Sequence, residues 1–189
     1  MGHFTVLYDA NVLYPAPLRD VLIQLALTGL YRAKWSNRIH EEWIRNVLKN
    51  RTDLSREQLE RTKTLMNSVV LDCLVENYED IETVLQLPDL NDRHVLAAAI
   101  VSSCDVIVTF NIKDFPNNEL NKYSIEAQHP DDFLMHLTDL DCNKFCSAIK
   151  ATRMRLKKPP KNIVEYLDIL SNQGLAKTVS FLKNHQSLL

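Results

Sequence analysis

The chain alternates continuous apolar runs with longer segments whose apolar positions recur every three or four residues. Two runs, FTVLY at residues 4–8 and DVIVTF at residues 105–110, have the length of strands that are buried on both faces of a sheet. The segments between them carry the helical period and predict amphipathic helices. Strands that alternate with helices in this way indicate a parallel sheet with helices on both faces.

The predicted helices have recognisable first residues. Pro17 suits the first turn of a helix that is apolar nearly all round, and Ser36 and Ser55 are suitable N-caps for the next two helices. Further helices are predicted over residues 91–104 and from Pro130 onward. We therefore place helices after each of the apolar strands.

Two weaker segments and the C-terminal part complete the pattern. ETVLQL, residues 82–87, predicts a strand or a turn of helix, and YSIEAQ, residues 123–128, predicts an edge strand. Residues 139–189 carry no strand pattern and predict two or three helices. The prediction is an α/β domain over residues 1–138, a three-layer α/β/α sandwich around a central parallel sheet, followed by an α-helical extension over residues 139–189.

Composition and charge exclude some classes of protein. The chain is 46% hydrophobic with a net charge of -2, which is ordinary for a folded protein and argues against a protein that coats nucleic acid. No apolar run reaches the about 18 residues of a membrane span, no segment reads as a signal peptide, and we expect a cytoplasmic protein without a membrane partner. Cys142 and Cys146 are four residues apart, a spacing that favours a helix face over a zinc site.

Polar side chains follow both strong strands. Asp9 and Asn11 come after the first, and Thr109, Asn111 and Asp114 come after the second. The carboxyl ends of parallel strands meet at one edge of a sheet, where ligands bind. A buried carboxylate such as that of Asp9 must be paired, cap a helix or coordinate a cation.

Further carboxylates are expected near the same edge. Asp89 and Asp92 lie where a helix begins just before the second strand, and Glu41 and Glu42 lie on the second helix. Each has an ordinary alternative: Asp89 could serve as a helix cap, Asp114 as a turn residue, and a helical glutamate as a solvated charge. Acidic groups delivered to one edge by independent elements nevertheless predict a divalent-cation site.

Several segments resemble, in order and spacing, the motifs of a known family over about residues 4–137. The family is that of the PIN domains, and more closely the VapC-type ribonuclease toxins of prokaryotic toxin–antitoxin pairs. The resemblance implies an α/β/α nuclease domain with an acidic pocket for Mg²⁺ or Mn²⁺. The segments that carry it are YDANVL, IHEEWIRNVL, LPDLNDRHVLAAAI, VIVTFNIKDFP and HPDDFL.

The resemblance also implies which side chains form the site. Glu42 fits the family's pattern of a glutamate before apolar residues better than Glu41 does, and Asn111 stands where many members have aspartate. His94 suggests a general base or, as the favoured interpretation, a helix residue paired with a neighbour. The implied catalytic residues are Asp9, Glu42, Asp92 and Asp114; the implied metal ligands are these four and Asn111; the secondary candidates are Glu41, Asp89, Asn11 and Thr109.

The resemblance implies an RNA substrate, which could be transfer, ribosomal or messenger RNA, and a cognate antitoxin or a second copy of the chain as protein partners. Six of the twelve residues 150–161 are basic, and this stretch predicts either an RNA-contacting arm, a docking face or a solvated helix face. The predicted RNA-binding residues are Arg153, Arg155, Lys157 and Lys158.

Two other functions are consistent with part of the pattern. A catalytically inactive PIN-like module that binds RNA or protein would not need four carboxylates at one edge. A phosphoacceptor receiver domain, with Thr109 and Lys113 as switch residues, would need an aspartate at the end of a middle strand, where residues 50–80 predict only helices. The metal-dependent endoribonuclease is therefore the leading hypothesis.

Overall fold

The computed structural model describes residues 4–189, so the first three residues of the predicted domain lie outside the described part. The strands are β1 (Thr5–Tyr8), β2 (Arg32–Ser36), β3 (Leu74–Val75), β4 (Val106–Val108) and β5 (Glu126–Gln128). The helices are α1 (Ala10–Leu13), α2 (Ala16–Ala26), α3 (Asn37–Asn50), α4 (Arg56–Val69), α5 (Glu79–Glu82), α6 (Arg93–Val101), α7 (Asn117–Leu120), α8 (Pro130–Leu140), α9 (Cys142–Arg155), α10 (Ile163–Ser171) and α11 (Ala176–Lys183). Short 3-10 turns occur at Leu90–Asp92, Ile112–Asp114, Asn121–Tyr123 and Gln186–Leu188. Among the described helices, none has the length and apolar character needed to cross a membrane.

The strands form one parallel sheet, in the order β3-β2-β1-β4-β5, that helices flank. β1 lies in the middle, and all four of its residues are buried. The chain builds the sheet outward from β1 to β3, then returns to place β4 on the other side of β1. This reversal between β1 and β4 is the point at which open parallel sheets bind ligands, and the predicted α/β fold class is confirmed.

The described chain divides into two compact units. A sheet unit comprises the residues up to Tyr14 together with Tyr31–His129, and a helical unit comprises Pro15–Leu30 and Pro130–Leu189. This division differs from the predicted boundary at residue 138. α2 packs against α9 and α10, and α8 packs against α9 and α11, so the apolar faces of these two helices are buried with the C-terminal helices.

Two strands were missed in the sequence. β2 has the sequence RAKWS, in which exposed Arg32 and partly exposed Lys34 alternate with buried Ala33 and Trp35. β3 has only two residues, so the prediction that residues 50–80 contain only helices is wrong. ETVLQL forms no strand, since α5 ends at its first residue. Such short or half-polar strands are formed by pairing with neighbours and not by a local apolar run.

The predicted N-caps of α3 and α4 are confirmed. The Oγ of Ser36 accepts a hydrogen bond from the backbone N–H of Ile39 at 3.2 Å. Ser55 forms a capping box with Gln58, in which each side chain accepts from the other's backbone N–H, at 3.3 and 2.8 Å. The Ser36 bond fixes where α3 begins, and with it the position of the carboxylates that α3 carries, and the capping box fixes where α4 begins.

A polar network within the sheet unit joins α3 to α4 and β2. Trp43 Nε1 donates to Nδ1 of His40 at 3.0 Å, and Trp35 Nε1 donates to Oδ1 of Asn67 at 2.8 Å. An indole can only donate, so Nδ1 of His40 accepts and Nε2, at 2.9 Å from the same Asn67 oxygen, carries the proton. Burial lowers the pKa of His40 to about 4, which keeps the imidazole neutral.

This network predicts a stability that falls in mild acid. The folded pKa of His40 lies below its unfolded value near 6.5, so the unfolded chain binds the proton more tightly and stability is lost as pH falls below 6.5. Between pH 7 and pH 5 the free energy of unfolding should drop by about 2 kcal/mol more in the wild type than in His40→Gln. Urea unfolding followed by tryptophan fluorescence measures this, and equal pH dependence in the two proteins would contradict it.

Candidate metal centre

Asp9 lies where β1 ends, and it is 5% exposed. Its Oδ1 accepts a hydrogen bond from the backbone N–H of Ala10 at 2.6 Å and thereby caps α1. Its Oδ2 accepts from Nδ2 of Asn11 at 2.6 Å and from the Thr109 hydroxyl at 2.7 Å. All three donors are neutral, so they hold the carboxylate in a fixed position without cancelling its charge.

Asn11 and Thr109 join the ends of the two central strands. Tyr8 pairs with Val108 in the sheet, which brings the residues that follow them side by side. Asn11 Nδ2 donates to the Thr109 hydroxyl at 2.9 Å, while Asn11 Oδ1 accepts from the backbone N–H of Phe110 at 3.1 Å. Both secondary candidates therefore orient Asp9 at the switch point of the sheet.

Glu42 projects from α3 toward α6. Its Oε1 lies 3.0 Å from Nε2 of His94 and 3.8 Å from Nε of Arg38. The side chain of Glu42 is 21% exposed. Burial is the main cause that raises the pKa of Asp9. Glu42 adds a smaller rise and His94 a smaller decrease, so both groups lie within electrostatic reach of the end of β1.

Glu41 lies on a different face of α3. Its carboxylate contacts Nη2 of Arg56 at 2.5 Å and approaches Nζ of Lys63 at 3.8 Å, both on α4. The hydrogen bond and charge of Arg56 lower the pKa of Glu41, and the side chain is 46% exposed. Adjacent residues on a helix point about 100° apart, so the structure directs Glu42 toward the Asp9 edge and Glu41 toward α4.

Asp92 is the residue whose electrostatics connect the carboxylates. It ends the 3-10 turn before α6, and its side chain makes no capping hydrogen bond. Burial, and then the negative charges of its neighbours, raise the pKa of Asp92 to about 7. The neighbours that contribute, in order of effect, are Asp9, Asp89, Asp114 and Glu42.

The other predicted residues border this group. Asp89 is exposed, and its Oδ1 accepts from the backbone N–H of Asn91 at 2.9 Å, so it serves as the cap of its 3-10 turn. Asp114 is partly exposed at the end of the turn Ile112–Asp114. Asn111 is exposed, and its backbone N–H donates to the Thr109 hydroxyl at 3.0 Å.

The donor chemistry at this edge fits a hard divalent cation. Carboxylate and amide oxygens are the ligands that Mg²⁺ and Mn²⁺ prefer. Burial and then the negative charges of its neighbours raise the pKa of Asp92, and a cation would neutralise those charges. Within residues 4–189, no three acidic, histidine or cysteine side chains are already drawn together as a metal cage. Mg²⁺ retains several waters and uses few protein ligands, so an open arrangement suits it.

Arg38 and Glu82 were not recognised in the sequence. Nη1 of Arg38 contacts the carboxylate of Glu82 at 2.7 Å, while its Nε approaches Glu42. Arg38 and Glu42 are four residues apart on α3, a helical spacing that places two side chains together and that could have revealed the pair. Through Arg38, the face of α3 that carries Glu42 is linked to Glu82, the last residue of α5.

The predicted RNA-binding residues lie in the helical unit. Arg155, Lys157 and Lys158 are exposed. Arg153 differs, because its Nη1 donates to the backbone carbonyl of Lys161 at 3.0 Å and its Nε is buried. The structure therefore uses Arg153 to hold the segment after α9 in place.

Comparison with known proteins decides the family. A family model described as PIN domain matches residues 5–113, more than half of the chain and most of the sheet unit. The chain belongs to the PIN-domain family. A second model, described as VapC50 C-terminal domain, matches residues 130–184 in the helical unit of this PIN-domain protein. The predicted PIN-domain membership is confirmed.

One relative of this PIN-domain protein is the "Putative ribonuclease VapC50" of Mycobacterium tuberculosis. The two are 57% identical over 49 residues, which cover 26% of this chain and 29% of the relative. The match thus spans less than a third of the relative's length. No solved structure matches the chain.

The geometry predicts how metal binding and stability respond to loss of the Asp92 charge. Asp92→Asn should raise the melting temperature of the cation-free protein above pH 7, because it removes a charge that its neighbours repel. It should also abolish most of the stabilisation that Mn²⁺ gives the wild type. Thermal unfolding with and without Mn²⁺ measures both effects.

Glu41→Gln is the matched control, since it removes a neighbouring carboxylate that faces α4. It should respond to Mn²⁺ as the wild type does. Unchanged Mn²⁺ stabilisation in Asp92→Asn would exclude Asp92 as a ligand. Loss of the Mn²⁺ stabilisation in Glu41→Gln would show that α3 directs Glu41, and not Glu42, toward the cation.

Proposed function

We propose that this protein is a divalent-cation-dependent endoribonuclease that hydrolyses RNA phosphodiester bonds and acts as the toxin of a toxin–antitoxin pair. The cation would be Mg²⁺ or Mn²⁺. The single observation that carries the proposal is the group of mutually repelling carboxylates on Asp9, Glu42, Asp92 and Asp114 at the switch point of the sheet. Membership of the PIN-domain family and the name of the mycobacterial ribonuclease support it.

Each side chain has a role that follows from its surroundings. Asp9, rigidly held by neutral donors, is the fixed ligand of the site. Glu42 and Asp92 complete the ligand set from α3 and from the start of α6, and Asp114 with the neutral Asn111 extends it on the side of β4. A divalent cation bound here would supply the charge that activates water and stabilises the departing 3′-oxygen of RNA.

A cluster of carboxylates repels RNA phosphate, so cationic side chains must compensate at the rim of the bound RNA. Arg155, Lys157 and Lys158 are exposed cations in the helical unit and are the proposed phosphate contacts. Contacts of this kind provide affinity without base specificity. A solvated face would carry the same residues without any effect on RNA binding.

The proposed activity predicts a loss of cleavage without a loss of fold. Asp92→Asn should lower the rate of Mg²⁺- or Mn²⁺-dependent RNA cleavage at least about 100-fold, which equals about 2.7 kcal/mol of activation free energy. Glu41→Gln should cleave as the wild type does. Cleavage of a labelled RNA under single-turnover conditions, with growth after brief expression as a second readout, measures the difference.

If the wild type binds Mn²⁺ and RNA but never cleaves, the protein is the inactive RNA-binding module and the nuclease assignment is wrong. Cleavage by the wild type in excess chelator would show that the reaction needs no divalent cation. Equal cleavage by wild type and Asp92→Asn would assign the reaction to a different site.

The exposed basic residues predict a change in the salt dependence of RNA binding. Replacing Arg155, Lys157 and Lys158 by Gln should lower the slope of log K against log salt by just under one unit for each side chain that binds a phosphate in the wild type. Single-turnover cleavage at saturating RNA should change little, because the carboxylates lie in the sheet unit. A Lys144→Gln/Lys183→Gln variant, which removes two other exposed cations of the helical unit, is the control.

Binding titrations at several salt concentrations give the slope. An unchanged slope in the triple variant would show that these side chains form a solvated face and do not contact RNA phosphate. A larger decrease of the slope in the control variant than in the triple variant would place the RNA-binding surface on another part of the helical unit.

A further inference from the structure

His94 is an imidazole in an apolar place. It is the second residue of α6, and it is fully buried, as are the five residues that follow it, Val95–Ala99. Burying a polar ring without a hydrogen-bond partner costs free energy. Among the described residues, neither ring nitrogen of His94 has a partner in hydrogen-bond geometry. An aliphatic side chain at this buried position of α6 would pack without leaving a polar atom unpaired, so the presence of an imidazole requires a reason.

The close contact with Glu42 supplies that reason. Nε2 of His94 lies 3.0 Å from Oε1 of Glu42, an ion-pair distance, although the contact falls outside hydrogen-bond geometry. A bare nitrogen lone pair at this distance from a carboxylate oxygen would be repelled by it. Nε2 therefore carries a proton and faces Glu42 as a donor.

The contacts of His94 and Arg38 with Glu42 converge on the same oxygen. Arg38 Nε, at 3.8 Å, also approaches Oε1. This leaves Oε2 as the oxygen through which Glu42 can act on a cation. A carboxylate that is fixed through one oxygen presents the other in a defined direction, and such supporting contacts tune both the affinity and the geometry of metal sites.

We propose that His94 is a positioning residue for Glu42: its Nε2–H holds Oε1 of the carboxylate, so that Oε2 is directed into the cation site. This inference rests on the proposed function, in which Glu42 is a ligand. It assigns His94 no contact with substrate and no proton transfer. The role depends on a donor at the position of Nε2, and the rest of the ring serves as packing.

Two nearly isosteric amides separate this role from packing. The side-chain NH₂ of glutamine reaches the position of Nε2, whereas that of asparagine reaches only the position of Nδ1. His94→Gln should keep most of the Mn²⁺ affinity, and His94→Asn should weaken it by at least about tenfold, the effect expected when a ligand loses its support. His94→Leu fills the same space without a donor and should bind Mn²⁺ as weakly as His94→Asn.

The experiment measures Mn²⁺ binding to the full chain by calorimetry and by the electron paramagnetic resonance of free Mn²⁺, with thermal unfolding in the absence of the ion as the check on folding. The order of affinity should be wild type, then His94→Gln, then His94→Asn and His94→Leu together. This order should not follow the order of melting temperatures.

Equal affinities in all four folded proteins would overturn the positioning role and leave the proposed function standing. Affinities that fall in parallel with the melting temperatures would also overturn it, since His94 would then be a packing residue. Failure of the wild type itself to bind Mn²⁺ would overturn the cation site as a whole. Rescue by Gln alone supports the proposal.

Discussion

Electrostatic repulsion at one edge of the sheet is the constraint on which the functional part of this protein depends. The order of the sheet places β1 beside β4 at its centre, and the residues after both strands meet at a single edge. Burial, and then the charges of four other carboxylates, raise the pKa of Asp92 there to about 7. The fold tolerates this because neutral donors fix Asp9 and because His94 and Arg38 approach Glu42. A cluster that is costly to fold has a direct explanation if a cation neutralises it.

Much of this arrangement follows from local sequence. Asp9 and Thr109 could be placed at one edge because each directly follows an uninterrupted apolar run, and parallel strands end on the same side. The family resemblance favours Glu42 over Glu41, but the helical period of α3 alone does not separate them, since the direction of each side chain depends on how the helix is rotated against α4 and α6. The Ser36 cap and the network around His40 set that rotation, and both involve tertiary contacts.

The division into units was not readable from the sequence, because it joins segments that are far apart in the chain. α2 lies between β1 and β2 but packs with α9 and α10. The second segment of the helical unit begins at Pro130, where the C-terminal family match also begins. Asp131 explains this start: it is buried, its Oδ2 accepts from the backbone N–H of Lys177 at 2.8 Å, and its Oδ1 accepts from that of Thr178 at 2.9 Å. The first turn of α8 thus caps α11.

The central claim is that the carboxylates at the β1–β4 edge hold a divalent cation. The most direct measurement is an anomalous difference map from crystals of the protein grown with Mn²⁺. The account predicts a peak within about 2.0 to 2.6 Å of carboxylate oxygens of Asp9 and Asp92, with Glu42 as a direct or water-mediated ligand. Crystals that bind Mn²⁺ elsewhere, with this edge empty at saturating ion, would contradict it.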